Sequence, residues 1–332
     1  MHARSVLTLN HVCNVLKRSL LVFMAFTPLL AKSAWPEKPI RLIVPFAPGG
    51  APDLAARIIA PSLQKQLGQT VVVENRAGAG ATIGTTAVAN ATGDGYTLLI
   101  GSAANAIDSA IQKKLPYVFE RDLVPVLMVA EVPGVLVVPK SLGVNSVQEL
   151  LTYAKSKPAN TLSYGSPGFG TSVHLAGELF DSMTGINMVH VPYKGAAPAI
   201  NDLLGMRLQL MFPALAAAQA HIQSGALKAL AVTTKTRSTL APELPTIGEL
   251  GFPGYEVGGW LGIFAPKGLP AEVLDRIQRG FEESLKEEST RLALARQGIE
   301  ANPAKAIALR ERVESDMRRW SHLIKTRNIE PQ

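Results

Sequence analysis

RLIVPFAPGGAPDLAARI, Arg41 to Ile58, reads as strand, loop and helix. Ile40, Leu42, Ile43 and Val44 form a short apolar run of the kind that becomes a buried strand. Pro45 has no N–H to give to a ladder, so the strand ends there. Pro48-Gly49-Gly50 lets the backbone turn without Cβ interference, and Leu54, Ile58, Ile59 and Leu63 then recur at helical spacing. Ala51 to Asp53 therefore open a helix. A helix start at the carboxyl end of a strand offers unpaired N–H groups and about half a positive charge, which suits an anion. A tight turn between two core elements, with no ligand, has the same local pattern.

The same unit recurs along the chain. Strand Thr70–Glu74 runs through Asn75-Arg76-Ala77-Gly78-Ala79-Gly80 into a small-residue helix, Ala81 to Ala91. Gly93-Asp94-Gly95 turns into strand Tyr96–Ile100, closed by Gly101-Ser102-Ala103. In a sheet wound one way, these loops share the edge where open α/β proteins bind ligands. The apolar stretch from Val124 is too long for one strand and is broken at Pro133-Gly134, which predicts a crossover into a second lobe. There, strand Thr161–Tyr164, the loop Gly165 to Thr171 and a helix through His174 and Leu179 copy the first design. Val257 to Ala265 returns the chain to the first lobe, and amphipathic helices near Ala271–Lys286 and Lys305–Lys325 finish it. The expected organisation is a signal peptide at 1–33, lobe 1 at 34–131 plus 256–332, and lobe 2 at 132–255.

Composition narrows the function classes. The chain has 332 residues, 47% hydrophobic and 18% charged, which suits about two ordered domains of ~100–200 residues each. Its charge of +7 is inflated by the start: Arg4, Lys17, Arg18 and Lys32 are unopposed, and the remaining 29 basic and 26 acidic residues leave +3. Lys and Arg are otherwise dispersed among acids, as in LDRIQRGFEESLKEE, which argues against a nucleic-acid surface. Lys17-Arg18, the apolar core Leu20 to Ala31 and the small residues Ala31, Ser33 and Ala34 make a cleavable secretory signal, too short for a membrane span. The exported product is expected in the periplasm as a soluble monomer. Its one cysteine, Cys13, lies ahead of that core, so the mature chain has neither disulfides nor thiolate metal sites.

Enzyme signatures fail on spacing. Gly78-x-Gly80-x-x-x-Gly84 departs from the dinucleotide fingerprint, and Tyr164-Gly165-Ser166-Pro167-Gly168 misplaces the glycines of a hydrolase elbow. No His and carboxylate cluster suggests a metal. No catalytic residue, metal or cofactor is expected.

PFAPGGAPD at Pro45–Asp53, ENRAGAGATIG at Glu74–Gly84, DGYTLLIGS at Asp94–Ser102, GSPGFGTSVH at Gly165–His174, VPYKGAAPAINDLLG at Val191–Gly205 and LPTIGELGFPGYEVGGWLGIFAPKG up to Gly268 resemble the periplasmic receptors of tripartite tricarboxylate transporters, the Bug receptors. The blocks stand in the family's order across nearly all of the mature chain. The resemblance implies an α/β, two-lobed periplasmic-binding-protein fold (type II, clamshell) with a mostly parallel sheet in each lobe. It also implies a receptor that captures a small di- or tricarboxylate or related acid between the lobes. Its partners would be membrane permease subunits, or alternatively a signalling protein that reads the bound form.

The family's grip, backbone N–H groups, hydroxyls and ordered waters from both lobes, fits loops that contain no Lys or Arg at Pro45–Asp53 and Gly165–Thr171. The candidate ligand-binding residues are Phe46, Ala47, Gly49, Gly50, Asp53 and Ser102 in lobe 1, and Ser166, Gly168, Phe169, Gly170, Thr171 and Ala214 in lobe 2. Asp53 either stabilises the helix start or receives a ligand's ammonium group, since a bare carboxylate cannot face a bound one. His174 is expected to be packed and hydrogen-bonded, and Trp260 to pack near the hinge.

Overall fold

The computed structural model describes residues 35–112 and 114–329; the expected signal segment, 1–33, lies outside the described residues. β1 (Ile40–Val44) leads through the Pro45–Gly50 loop into α1 (Ala51–Leu67), which ends on the left-handed Gly68. β2 (Val71–Asn75), α2 (Thr82–Ala89), β3 (Thr97–Ser102) and α3 (Ala103–Ile111) repeat the plan. β1 pairs in parallel with β2 and β3, so the loops that follow all three strands gather at one sheet edge.

β4 (Leu123–Val132) carries the chain out of the first sheet. The second lobe holds β5 (Val135–Pro139), α4 (Val147–Lys155), β6 (Ser163–Ser166), α5 (Ser172–Thr184), β7 (Val189–Pro192), α6 (Ala196–Leu204), β8 (Leu210–Met211), α7 (Leu215–Gln223) and β9 (Leu227–Val232). β10 (Gly259–Pro266), α8 (Ala271–Lys286), α9 (Glu288–Arg296), β11 (Glu300–Lys305) and α10 (Ala306–Thr326) complete the chain.

The first sheet has the order β11-β4-β10-β3-β1-β2 and the second β7-β6-β8-β5-β9. The two-lobed α/β architecture is the expected one, with both sheets mixed: β1 to β4 run one way in the first sheet and β6 to β9 in the second. β10 is antiparallel to β3 and β4, β11 to β4, and β5 to β8 and β9. The reversed strands are those by which the chain enters each lobe, β5 and β10, and the edge strand β11; the outgoing strands β4 and β9 run with the β–loop–α units.

The two crossovers run side by side. Thr233 N–H donates to the Gly134 carbonyl at 2.9 Å, Val257 N–H to the Thr233 carbonyl at 2.8 Å, and Gly259 stands opposite Val132. A Cβ on Gly134 would stand 2.4 Å from Thr233 Oγ1, so glycine permits the close approach. Buried Trp260 donates its indole N–H to Asp316 on α10 at 2.8 Å.

α10 belongs to both cores. Leu309 and Val313 pack with Trp260 and Phe264 in the first lobe, whereas Trp320 and Leu323 join Leu175, Phe180 and Tyr255 of the second. Just beyond the helix, Arg327 donates to Glu178 at 2.8 Å and to Asp181 at 2.5 Å, both on α5. Arg312 and Arg319 tie the same helix to Glu256 of the returning crossover.

Candidate functional site

The loop after β1 is held open by its own helix. Gly49 turns at φ +92°, and its N–H donates to Asp53 Oδ2 at 2.9 Å. Asp53 Oδ1 accepts from Arg57 Nε at 3.0 Å and from Asn75 Nδ2 at 2.9 Å, and Asn75 also donates to the Phe46 carbonyl. Burial pushes the Asp53 carboxyl up, but the hydrogen bonds from Arg57, Gly49 and Asn75 outweigh it and hold the group below the ordinary carboxylate range. Its partners therefore place Asp53 at the helix start, fastening the turn from behind. Gly50 is the α1 N-cap at ordinary φ −79°, and an added Cβ would meet only Pro52 Cδ at 3.8 Å.

The second wall is a strained loop. Gly78, Ala79, Gly80 and Ala81 all have positive φ, of which +46° at Ala79 and +87° at Ala81 are uncommon for residues with a Cβ. α2 then packs so closely that a Cβ on Gly84 would lie 2.7 Å from both the Arg76 carbonyl oxygen and Pro45 Cα. Backbone thus meets backbone beneath two loops of the site.

α3 provides the third wall. Ser102 and Asn105 form a reciprocal capping box: Ser102 Oγ accepts from Ala104 N–H at 3.3 Å, and Ser102 N–H donates to Asn105 Oδ1 at 2.9 Å. Ala104, Ile107, Asp108 and Ile111 then fall at helical spacing on one face.

From the second lobe come the turn after β6 and the start of α5. Thr171 Oγ1 donates to the Gly168 carbonyl at 2.8 Å and accepts from His174 N–H at 3.3 Å, an N-cap. Gly170 N–H donates to His174 Nδ1 at 3.1 Å, while Gly168 N–H donates to Ser166 Oγ at 3.1 Å. The N–H groups of Ser172 and Val173, the first of α5, have no intrahelical acceptor. Beneath the turn, His174 stacks on His190 with ring centroids 3.9 Å apart, and Phe169 packs edge-on against both. Burial lowers the His174 pKa, with Glu178 opposing it. Burial and the neighbouring His174 bring His190 down to about 4. Both rings are neutral near pH 7, so they lend the turn shape without charge.

Loops of both sheets meet around a cavity of about 470 Å³, lined by Pro45, Phe46, Ala47, Ala77, Gly78, Gly80, Ala81, Ala104, Ile107, Asp108, Ile111, Gln112, Phe169, Gly170 and Thr171. A Cβ on Gly170 would reach to 3.1 Å from Ile111 Cδ1, so the two lobes approach one another here. The cavity gathers five of the residues singled out in the sequence: Phe46, Ala47, Phe169, Gly170 and Thr171. Gly49, Gly50 and Asp53 shape the first turn; Ser166, fully buried, and Gly168 brace the second; and Ser102 caps α3. Ala214 lines a smaller cavity of about 90 Å³ beside the crossover residues Gly134, Thr233 and Val257. Sequence reading missed the α3 contribution, Ala104 to Gln112. Its signal was present in Ser102-x-x-Asn105 before Ile107 and Ile111, a capped amphipathic helix hidden by its alanines.

The sequence profile described as tripartite tricarboxylate transporter family receptor matches residues 55–329. BugT of Bordetella pertussis (strain Tohama I) is 38% identical over 298 residues, covering 89% of this chain and 91% of that protein. Among solved structures, the periplasmic binding protein BugD superposes with a TM-score of 0.71 at 38% identity, covering 90% of this chain and 100% of that one. Rpa4515 of R. palustris, solved with adipate, superposes at 0.74 with 36% identity over 90% and 100% of the two chains.

Proposed function

We propose, from the premise that this chain belongs to the tripartite tricarboxylate transporter receptor family, that it is an extracytoplasmic receptor which captures a small organic acid in its interlobe cavity and presents the closed form to membrane permease subunits. The observation that carries this reading is a cavity lined by loops of both sheets, with the starts of α3 and α5 on either side and no Lys or Arg among its described lining residues. Such a cavity favours a carboxylate through peptide N–H groups and helix ends. Each charge-assisted hydrogen bond contributes about 1.5–3 kcal/mol. Several therefore suffice for micromolar capture, which needs about 8 kcal/mol before ordering costs.

In this reading residues 34–131 and 256–332 form one lobe and 132–255 the other, with α10 bridging them, and the 1–33 segment directs export. Ligand shifts the population toward the closed lobes by bonding to both at once. A likeness to a protein solved with adipate supports an acid as ligand. The test is a thermal-shift screen of mono-, di- and tricarboxylates, in which ligand at 100 times its Kd adds about 2.7 kcal/mol. Gly170→Val forces a β-branched residue to φ +70° against Ile111 and is expected to abolish the shift, whereas Gly50→Ala, which makes only an ordinary contact with Pro52 Cδ, retains it. A full response in Gly170→Val would overturn the assigned cavity.

A further inference from the structure

The shared cavity contains one ionisable side chain among its described lining residues, Asp108, with the amide of Gln112, the C-cap residue of α3, one turn further on. Asp108 is 9% exposed, and Thr82 Oγ1 donates to its Oδ2 at 2.9 Å. A Cβ on Gly80 would lie 2.9 Å from Oδ1, so the strained loop opposite leaves that oxygen its room. Burial pushes the Asp108 carboxyl up, and hydrogen bonds from Thr82 and Gln112 oppose this only in part. No cation among the described lining residues offsets its charge. A second ligand carboxylate in the same cavity therefore meets like charge at low dielectric, while a donor meets an acceptor with lone pairs to spare.

We propose that Asp108 determines specificity: it accepts a hydrogen bond from an ammonium or hydroxyl group on a ligand whose carboxylate is held by the loop peptides, and it disfavours a second carboxylate. This rests on the receptor reading above and narrows its substrate class to amino or hydroxy acids. The test compares acids of matched length, δ-aminovalerate, δ-hydroxyvalerate, glutarate and valerate, with their four- and six-carbon homologues, by isothermal titration of the wild type and Asp108→Asn.

At one chain length the amino or hydroxy acid is expected to bind at least ~10-fold tighter than the diacid, the lower end of what a charge-assisted hydrogen bond confers. Asp108→Asn is expected to erase that preference. Loss confined to the amino acid identifies an ammonium as the native donor; a preference for the hydroxy acid in the wild type identifies a hydroxyl. The wild-type ranking decides the matter even if the variant does not fold. Diacids that bind the wild type as tightly as their amino and hydroxy partners would overturn the role of Asp108 while leaving the receptor reading intact. No binding by any acid would overturn the receptor reading and the proposal with it.

Discussion

Gly84→Ala adds one methyl group where two loops of the cavity rest on α2. The new Cβ would stand 2.7 Å from the Arg76 carbonyl oxygen, 2.7 Å from Pro45 Cα and 2.8 Å from Pro45 Cβ. Carbon atoms pack best at about 3.5–4.0 Å, so the helix or the loops must retreat by roughly 1 Å. Neither loop yields easily: Arg76 N–H is bound to the Val44 carbonyl at 2.8 Å, and Asn75 holds the Phe46 carbonyl at 3.1 Å. Overpacking of this kind costs about 1–3 kcal/mol. The better helix propensity of alanine returns about 1 kcal/mol, so the expected net loss is up to ~2 kcal/mol. The displacement falls on Pro45–Ala47 and Ala77–Gly78, two walls of the cavity, so ligand response should weaken beyond the stability loss. Urea unfolding gives the first quantity and ligand-dependent Tm the second. A variant as stable as the wild type, with an undiminished ligand shift, would refute the claim that backbone contact at Gly84 sets the site.

Two further outcomes are expected. His190 is bonded through Nε2 to Ser166 Oγ at 2.6 Å, its buried Nδ1 has no partner among the described residues, and its pKa falls to about 4; the unfolded chain therefore binds a proton between about pH 6.5 and 4 that the folded one does not, and stability should fall with acidification by up to about 1.4 kcal/mol per pH unit. His174 acts in the same sense, while Asp108, Glu131 and Asp316, all raised by burial, act in the opposite one, so a pH slope in urea midpoints that His190→Gln leaves unchanged would refute the assignment. Arg327→Ala leaves Glu178 and Asp181 without their cation and should lower stability by about 1–3 kcal/mol, less than the 3–5 for a fully buried pair because the guanidinium is 31% exposed; an unaltered urea midpoint would show that this link between α10 and the second lobe is idle.

Much of the fold could be read from local pattern. Ile40 to Val44 with Pro45 behind it, the glycine-bearing turns after each early strand, and the break at Pro133-Gly134 are short-range signals, and each element they implied is present. Elements with weak patterns escaped. α3 is rich in alanine, and β11 is a polar strand, Glu-Ala-Asn-Pro-Ala-Lys, at the edge of the described sheet beside β4. Strand direction in the mixed sheets escaped too, because the apolar run of β10 is the same whichever way it is paired.

At the site the division is sharper. Sequence alone determined that glycine-rich turns without Lys or Arg precede helix starts in both lobes, since glycine content and missing cations are properties of residues taken one by one. Only the tertiary structure decided which polar groups still face the cavity. The N–H of Gly49 is taken by Asp53, that of Gly170 by His174 and that of Gly168 by Ser166, while Asp108, on a helix without a conspicuous motif, is brought to the cavity wall. A hydrogen bond spent inside the protein is unavailable to a ligand, and how it is spent depends on distances that only the folded chain defines.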